Sequence, residues 1–234
     1  HNAYGYDNWQ LPPRRVLFSL LSHQIPGPAL PAGHPFSNVF QGYYWTDDSS
    51  SRFPSQAWHV HLGGGRIPRA GKADSFLVWP VSLPETKKTP ATQSGEQRFS
   101  IRDGGILDSL TGLVWSRNAD IATGPMTWKQ GLAAVAELNR QSPEGIRDWR
   151  MPNIRELESL ISLKDHSPAL PPEHPFTQIR DAYWSSTTSV YEPTYAWTLY
   201  TRDGMVGVGF KTTPGFYLWP VRGKAFFTVV PYPL

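Results

Sequence analysis

The chain contains no cysteine among its 234 residues. It therefore has no disulfide bond and no thiolate metal site, although the absence of cysteine fits oxidising and reducing compartments equally. Long apolar runs are missing as well, because the uncharged stretches are short and are interrupted by proline or glycine. We therefore expect no segment that spans a bilayer.

Strong charge of one sign is also missing. Charged residues make up 18% of the chain and the formal net charge is +3, which is too small an excess to indicate a nucleic-acid partner. The 23 prolines and 20 glycines predict many turns and little continuous helix. Ten Trp, ten Tyr and eleven Phe supply large apolar surfaces for a core.

The chain repeats itself. Aligning DNWQLPP at 7–13 with DWRMPN at 148–153 places Trp9 on Trp149 and Pro12 on Pro152. Further along, PAL and HPF recur, YYWTDD lies on AYWSST so that Trp45 meets Trp184, and FLVWPV at 76–81 lies on YLWPV at 217–221. This long collinear match predicts a tandem duplication.

The two copies are unequal in length. We predict a first repeat at 1–82, a polar linker at 83–97, a complete second repeat at 98–223 and an apolar tail at 224–234. The first repeat lacks the opening strands and the first helix, which would leave apolar surface uncovered. Either the natural chain continues before His1, or the first repeat packs on the second or on another protomer, or the tail covers it. We predict that the tail packs on the first repeat or on a neighbouring subunit.

The periodicities predict an α+β fold. TWKQGLAAVAELNRQ has a helical apolar stripe, and Thr127 with Gln130 has the spacing of a capping box. NIRELESLISL, capped by Asn153, and its counterpart RRVLFSLLS predict a further helix in each repeat. The segments that follow alternate with period two, and Asp203–Gly204 predicts a hairpin turn. Each repeat should therefore pack helices on a small antiparallel sheet.

The motifs TGLVWSR, DWRMPN, YWSSTT and YLWPVRG in the second repeat carry a family resemblance. The chain resembles the bacterial family named for the C-terminal domain of a collagen-like adhesin, the Lcl C-terminal domain. Residues 98–223 match the family pattern along its length, and residues 7–82 match its second half. The resemblance implies a C-type-lectin-like fold on secreted, periplasmic or cell-surface proteins, and adhesin members are associated with sulfated glycans. It implies no catalytic residues.

Our first interpretation of the recurring tryptophans and prolines is that they are structural residues. Trp9, Pro12, Trp45, Trp149, Pro152 and Trp184 are expected to fill a core or to fix the chain as it enters a helix. The alternative is that the indoles of the DW motif are exposed and stack on a sugar ring. The resemblance also implies a Cys pair in many members, at positions that Val135 and Pro220 occupy here.

Basic residues provide the candidate ligand site. Arg66, Arg69 and Lys72 fall within seven positions of the first repeat, and Arg202 and Lys211 occupy the related hairpin of the second, with Lys211 matching Lys72. Arginine pairs well with sulfate and carboxylate groups. The alternative is a solvated sheet edge whose charges deter aggregation.

We predict no metal and no cofactor, although two metal alternatives exist. His59 and His61 share one face of a strand, which would suit zinc or copper if further ligands were present. Asp47 and Asp48 supply oxygens of the kind that bind calcium.

The sequence thus predicts a non-catalytic binding module that recognises glycan or another envelope component. The sulfated or acidic glycan would be its ligand. The alternative is a structural subunit of an extracellular assembly or filament, which associates with itself or with another envelope protein.

Overall fold

The computed structural model describes residues 5–82, 97–102, 104–142 and 145–226. The chain divides into two compact units, with the boundary between Gln97 and Arg98. The first unit contains β1 (Trp9–Gln10), α1 (Arg14–Ser19), β2 (Tyr43–Ser49), β3 (Gln56–His61), β4 (Arg69–Gly71) and β5 (Val81–Ser82). The second contains β6 (Phe99–Arg102), β7 (Gly105–Asp108), β8 (Leu113–Trp115), α2 (Trp128–Gln141), α3 (Ile154–Ser159), β9 (Tyr183–Thr188), β10 (Tyr195–Tyr200), β11 (Met205–Phe210) and β12 (Val221–Arg222).

The first unit is built on an antiparallel sheet in the order β2-β3-β4, with β1 and β5 as a separate two-stranded pair. Trp45 pairs with His59 and Tyr43 with His61, so these four side chains lie on one face of the sheet. Trp58, one residue out of phase, points to the other face, where the guanidinium of Arg14 from α1 lies 4.6 Å above its ring. Helix α1 therefore covers one face of this sheet.

The second unit repeats this sheet as β9-β10-β11 and adds a four-stranded sheet, β12-β8-β7-β6. Helix α3 lies against β9 and β10. Helix α2 supplies Val135 to a buried cluster that also holds Trp184 and Ala196 from the sheet. Since Trp184 pairs with Thr198, two residues from Ala196 on β10, this cluster lies on the sheet face that Tyr183 does not share.

The same hydrogen bonds recur in the two units. Thr46 Oγ1 donates to the Trp58 carbonyl over 2.9 Å, and Ser185 Oγ donates to the Trp197 carbonyl over 2.8 Å. The backbone N–H of the next residue, Asp47 or Ser186, donates to the carbonyl of Pro12 or Pro152. The correspondence inferred from the sequence therefore holds bond by bond at these positions.

The mixed helix-and-sheet architecture confirms the α+β prediction. Helix α2 begins after Thr127, whose capping box with Gln130 is formed, and Asn153 caps α3. The short helices end earlier than predicted, because the N–H groups of Leu160 and Ile161 bond three residues back and tighten the last turn. The predicted linker lies outside the described residues except Gln97, as does the predicted tail beyond Phe226.

Candidate functional site

A tight loop between β2 and β3 positions the first candidate site. The N–H of Phe53 donates to Ser50 Oγ over 3.2 Å, and the N–H of Gln56 donates to the Phe53 carbonyl over 2.8 Å. The N–H of Lys72, just after β4, donates to the carbonyl of Ser55 over 3.0 Å. The loop and the end of β4 are therefore held together by the backbone.

Two guanidinium groups lie close to the ring of Phe53. Arg69 lies opposite Trp58 in the β3–β4 register, and its guanidinium carbon lies 4.8 Å from the centre of the Phe53 ring. The guanidinium carbon of Arg52 lies 5.2 Å from the same centre. We call Arg52, Phe53, Arg69 and Lys72 the cationic patch.

The patch has the chemistry of an anion site. Arginine presents a planar set of N–H donors that matches the oxygens of a sulfate or carboxylate. Arg52 Nη1 is buried and has no hydrogen-bond partner within the described part of the chain. Phe53 is 39% exposed, so its ring is also available to stack on an apolar ligand face.

The second unit has the same loop with different side chains. Its bonds are repeated from Glu192 N–H to Ser189 Oγ and from Tyr195 N–H to the Glu192 carbonyl. By register, Glu192 stands where the first unit has Phe53. The two loops therefore have the same backbone hydrogen bonds, but the cationic side chains occur at these positions in the first unit.

Three of the predicted basic residues lie away from the patch. Arg66 lies in the turn after β3, where its carbonyl accepts from His61 N–H, so the length of β3 separates it from Lys72. That distance is roughly 17 Å for a six-residue strand. Arg202 lies in the corresponding turn after β10, and Lys211 follows the far end of β11.

Lys211 is engaged within its own unit. Its ammonium donates to Thr188 Oγ1 over 2.8 Å and lies 4.4 Å from the centre of a Trp128 ring. Burial lowers the pKa of Lys211. The structure thus brings Arg69 and Lys72 to one end of the first hairpin and leaves Arg66, Arg202 and Lys211 elsewhere.

The recurring tryptophans differ between the units. Trp149 is 8% exposed and Trp184 is fully buried, with its indole N–H donating to the Met126 carbonyl over 2.8 Å. The expectation that Trp9 also fills a core is wrong, because Trp9 is 38% exposed and Trp45 is only partly buried. Among the described residues of the first unit, no helix covers these positions as α2 does in the second unit. Pro12 and Pro152 are both buried.

We define the open face of the first unit by its exposed or half-buried apolar residues. These are Trp9, Trp45, Phe76 and Val78. Trp45 and Phe76 pack edge to face with ring centres 4.8 Å apart, as Trp184 and Phe216 do at 4.6 Å. The open face is the sheet face opposite α1, since Trp45 is out of phase with Trp58.

His59 and His61 serve as packing rings beside the open face. His59 is buried and stacks on Phe76 with ring centres 4.5 Å apart, and His61 lies 4.5 Å from the ring of Tyr43. Burial, assisted by the nearby His61, lowers the pKa of His59 to about 4. Within the described ranges, no three His, Asp or Glu side chains converge in a way that suits a metal ion.

The alternative calcium pair has a structural role at one of its members. Asp48 Oδ2 accepts from the backbone N–H of Arg14 over 2.6 Å, at the start of α1. Pro13 at that helix start has no side chain that could cap it, so Asp48 supplies the acceptor from β2.

Sequence reasoning missed Arg52 and Phe53. The available signal was the aligned loop, in which SSRFPS of the first repeat stands against SVYEPT of the second. The Arg-Phe pair of the first repeat aligns with a Tyr-Glu pair in the second, so the two loops share their turn but differ in charge. This charge difference between the two loops was a clearer sign of a ligand site than the basic residues dispersed along the strands.

The comparison with family models matches the Lcl C-terminal domain at residues 1–82 and 104–222. The chain belongs to the Lcl C-terminal domain family, in two copies. A search of curated proteins gave no match. None of the helices in the described part of the chain combines the length and hydrophobicity needed to cross a bilayer.

Proposed function

We propose that this protein is a non-catalytic, lectin-like binding module that acts in the periplasm, at the cell surface or after secretion. Its ligand is an acidic glycan or another acidic envelope component, and sulfated sugars are the first class to test. The observation that carries the proposal is the placement of two guanidinium groups around the exposed ring of Phe53. Family membership supports a binding role, and the C-type-lectin-like character is part of the proposal.

The geometry suits a sulfated sugar because it offers two complementary contacts. The guanidinium groups of Arg52 and Arg69 provide donors for sulfate oxygens, and Phe53 provides an apolar surface for a sugar ring. Hydrogen bonds to charged groups contribute about 1.5–3 kcal/mol each. Lys72 adds a further positive charge close to the loop.

The first experiment is a glycan array that pairs each sulfated sugar with its unsulfated form, read at low and high salt. We expect binding to the sulfated member, which weakens as salt rises because the contacts are ionic. Arg69→Gln and Arg52→Gln should each lower affinity about tenfold, as expected for the loss of one charge-assisted contact.

Arg66→Gln is the matched control, since Arg66 is an exposed arginine at the other end of the same hairpin. We expect it to change affinity by less than about twofold, because a distant exposed charge is screened. An equal loss in the Arg66 and Arg69 variants, with all variants folded by circular dichroism, would contradict a site at the cationic patch.

The second candidate function is a structural subunit of an extracellular assembly. The exposed apolar residues of the open face favour it, because such surfaces commonly mark protein contacts. Sedimentation velocity over a range of protein concentrations tests this candidate directly. Assembly that persists on dilution would support it, and a monomer at all concentrations would remove it.

A further inference from the structure

The ring of Trp58 contacts two guanidinium groups. The guanidinium carbon of Arg14, in α1, lies 4.6 Å from the centre of the Trp58 ring. That of Arg69, on the neighbouring strand β4, lies 5.7 Å from the same centre. Both distances are within the range of a cation–π contact. Trp58 is only 1% exposed, so its ring is held in the interior of the first unit.

The contacts continue from Arg69 into the cationic patch. The Arg69 guanidinium carbon lies 4.8 Å from the centre of the Phe53 ring, and that of Arg52 lies 5.2 Å from this centre. Arg69 therefore contacts two rings, the buried ring of Trp58 and the partly exposed ring of Phe53. We call the ordered contacts Arg14, Trp58, Arg69, Phe53 and Arg52 the arginine–ring series.

The second unit keeps the buried indole of this series without its arginines. Trp197 occupies the position of Trp58 and is likewise buried. The three arginines are replaced together, since the positions of Arg14, Arg52 and Arg69 are taken by Ile154, Tyr191 and Val208. The indole thus belongs to the structure that the two units share, and the guanidinium contacts to it are a feature of the first unit.

Ring contacts organise an arginine without consuming its hydrogen-bond donors. The N–H groups of a guanidinium lie in the plane of the group, so stacking on a ring leaves them available for a ligand. Contacts to both Trp58 and Phe53 restrict the rotamers of the Arg69 side chain. This restriction lowers the ordering cost of binding an anion, because the donors point in a set direction before the ligand arrives.

We propose that Trp58 is a positioning residue of the cationic patch. Its buried ring holds the guanidinium of Arg69 in one orientation, so the patch recognises a ligand by the planar donor edge of Arg69 and not by positive charge alone. This inference rests on the proposed function, because it states how the same site selects its ligand. The selected ligand group is an oxyanion with two neighbouring oxygens that accept parallel hydrogen bonds.

The first test compares Arg69→Lys with Arg69→Gln by isothermal titration calorimetry. Sucrose octasulfate is the probe, and sucrose is the uncharged control. Lysine keeps the positive charge but has no planar face to stack on Trp58. We expect both variants to bind the probe about tenfold more weakly than the unaltered chain. Unchanged affinity in Arg69→Lys would overturn the inference, since charge alone would then be sufficient.

The second test changes the ring itself. Trp58→Leu removes the aromatic surface and should weaken binding about fivefold, through the ordering cost that Arg69 then has to meet. Trp58→Phe keeps a ring at this position and should stay within about twofold of the unaltered affinity. Arg69→Lys changes no buried ring, so its result decides the question even where Trp58→Leu reduces the folded fraction.

Trp197→Leu and Trp197→Phe are the matched controls for the ring variants. They make the same changes at the aligned buried indole of the second unit, and affinity should stay within about twofold because this indole contacts no residue of the patch. Equal losses of affinity in Trp58→Leu and Trp197→Leu would overturn the positioning role, because a general loss of stability would explain both.

The same titrations separate this inference from the proposed function. Failure of sucrose octasulfate to bind the unaltered chain would overturn both. Binding that Arg69→Gln weakens, and that Arg69→Lys and Trp58→Leu leave unchanged, would support the proposed function and overturn the positioning role of Trp58.

Discussion

Single residues show how the two units reached the same fold with different chemistry. Glu156 is completely buried, and its two carboxylate oxygens accept from Arg150 over 2.6 and 2.7 Å while Oε2 also accepts from Asn153 N–H. The aligned residues of the first repeat are Val16, Gln10 and Pro13. The first unit thus has uncharged side chains at all three of these positions.

Breaking the buried pair should destabilise the protein. Glu156→Gln removes the negative charge that Arg150 faces, and we expect the free energy of unfolding to fall by about 2–4 kcal/mol. Glu137→Gln is the control, because Glu137 and Arg140 form an exposed i,i+3 pair that water screens and that should add little to stability. Chemical denaturation measures both, and similar losses would show that burial of Glu156 does not set its contribution.

His59 should make stability depend on pH. Its pKa in the fold is lowered to about 4 from 6.5, so the unfolded state takes up the proton first as pH falls. The stabilisation is complete above pH 6.5 and is lost as pH falls from about 6.5 to 4, with a total on the order of 1–3 kcal/mol. Asp74 acts in the opposite direction and limits the effect.

The matched variant for this test is His59→Thr, which installs the residue of the second unit, Thr198. We expect it to flatten the loss of unfolding free energy between pH 6.5 and 4, whereas His166→Thr at an exposed loop position should not. Denaturation at several pH values provides the measurement. An unchanged pH profile in the His59 variant would show that other groups set the acid response.

At the scale of elements, the attachment of helix α2 to the segment before α3 involves the side-chain amide of Asn139. Asn139 makes both of its hydrogen bonds to the backbone of Trp149, and the two groups that it satisfies are part-buried. Asn139→Ala should lower the free energy of unfolding by about 1–3 kcal/mol, since both partners lose their bond.

Gln141→Ala provides the comparison for Asn139, because Gln141 is exposed in the last turn of the same helix. Its replacement should change stability by less than about 0.5 kcal/mol. Thermal denaturation with circular dichroism resolves the difference. Alanine is the better helix former at both positions, so helix propensity cannot cause the loss. If the Gln141 variant were as unstable as the Asn139 variant, the tether to Trp149 would have no special role.

Elements with complete local signals were predictable from the sequence. Helix α2 and its capping box were predicted, and both appear in the structure. Of its predicted apolar stripe, Val135 and Leu138 pack on the core, whereas Leu132 and Ala136 are exposed. The turn between β10 and β11 was likewise encoded by Asp203–Gly204. The early ends of α1 and α3 were not predictable, because a tightened last turn reflects tertiary packing that the apolar pattern does not report.

The candidate site was predictable only in part. Arg69 and Lys72 were found from the sequence, but Arg52 was not, because its approach to Phe53 depends on how the loop after β2 folds back on β4. Conversely, Lys211 looked equivalent to Lys72 until its contact with Trp128 was known. Sequence alignment gives equivalent positions, but it does not report which of them are buried by a neighbouring side chain such as Trp128.

At the scale of the whole molecule, the two units share a sheet, a short helix and a family. They differ in whether the second face of the sheet is closed by their own described elements. The aligned sequence predicted that the first repeat would lack cover, and the exposure of Trp9 and Val78 agrees with this expectation. The alignment predicts the missing counterpart of α2 but not how exposed each of these side chains is.

The open face of the first unit allows the effect of burial on stability to be compared at equivalent positions within one chain. Any substitution at Trp184, Phe216 or Leu218 has a twin at Trp45, Phe76 or Val78 in the same chain. The difference in unfolding free energy between two such substitutions measures how much a covering helix stabilises a side chain that already packs on the sheet.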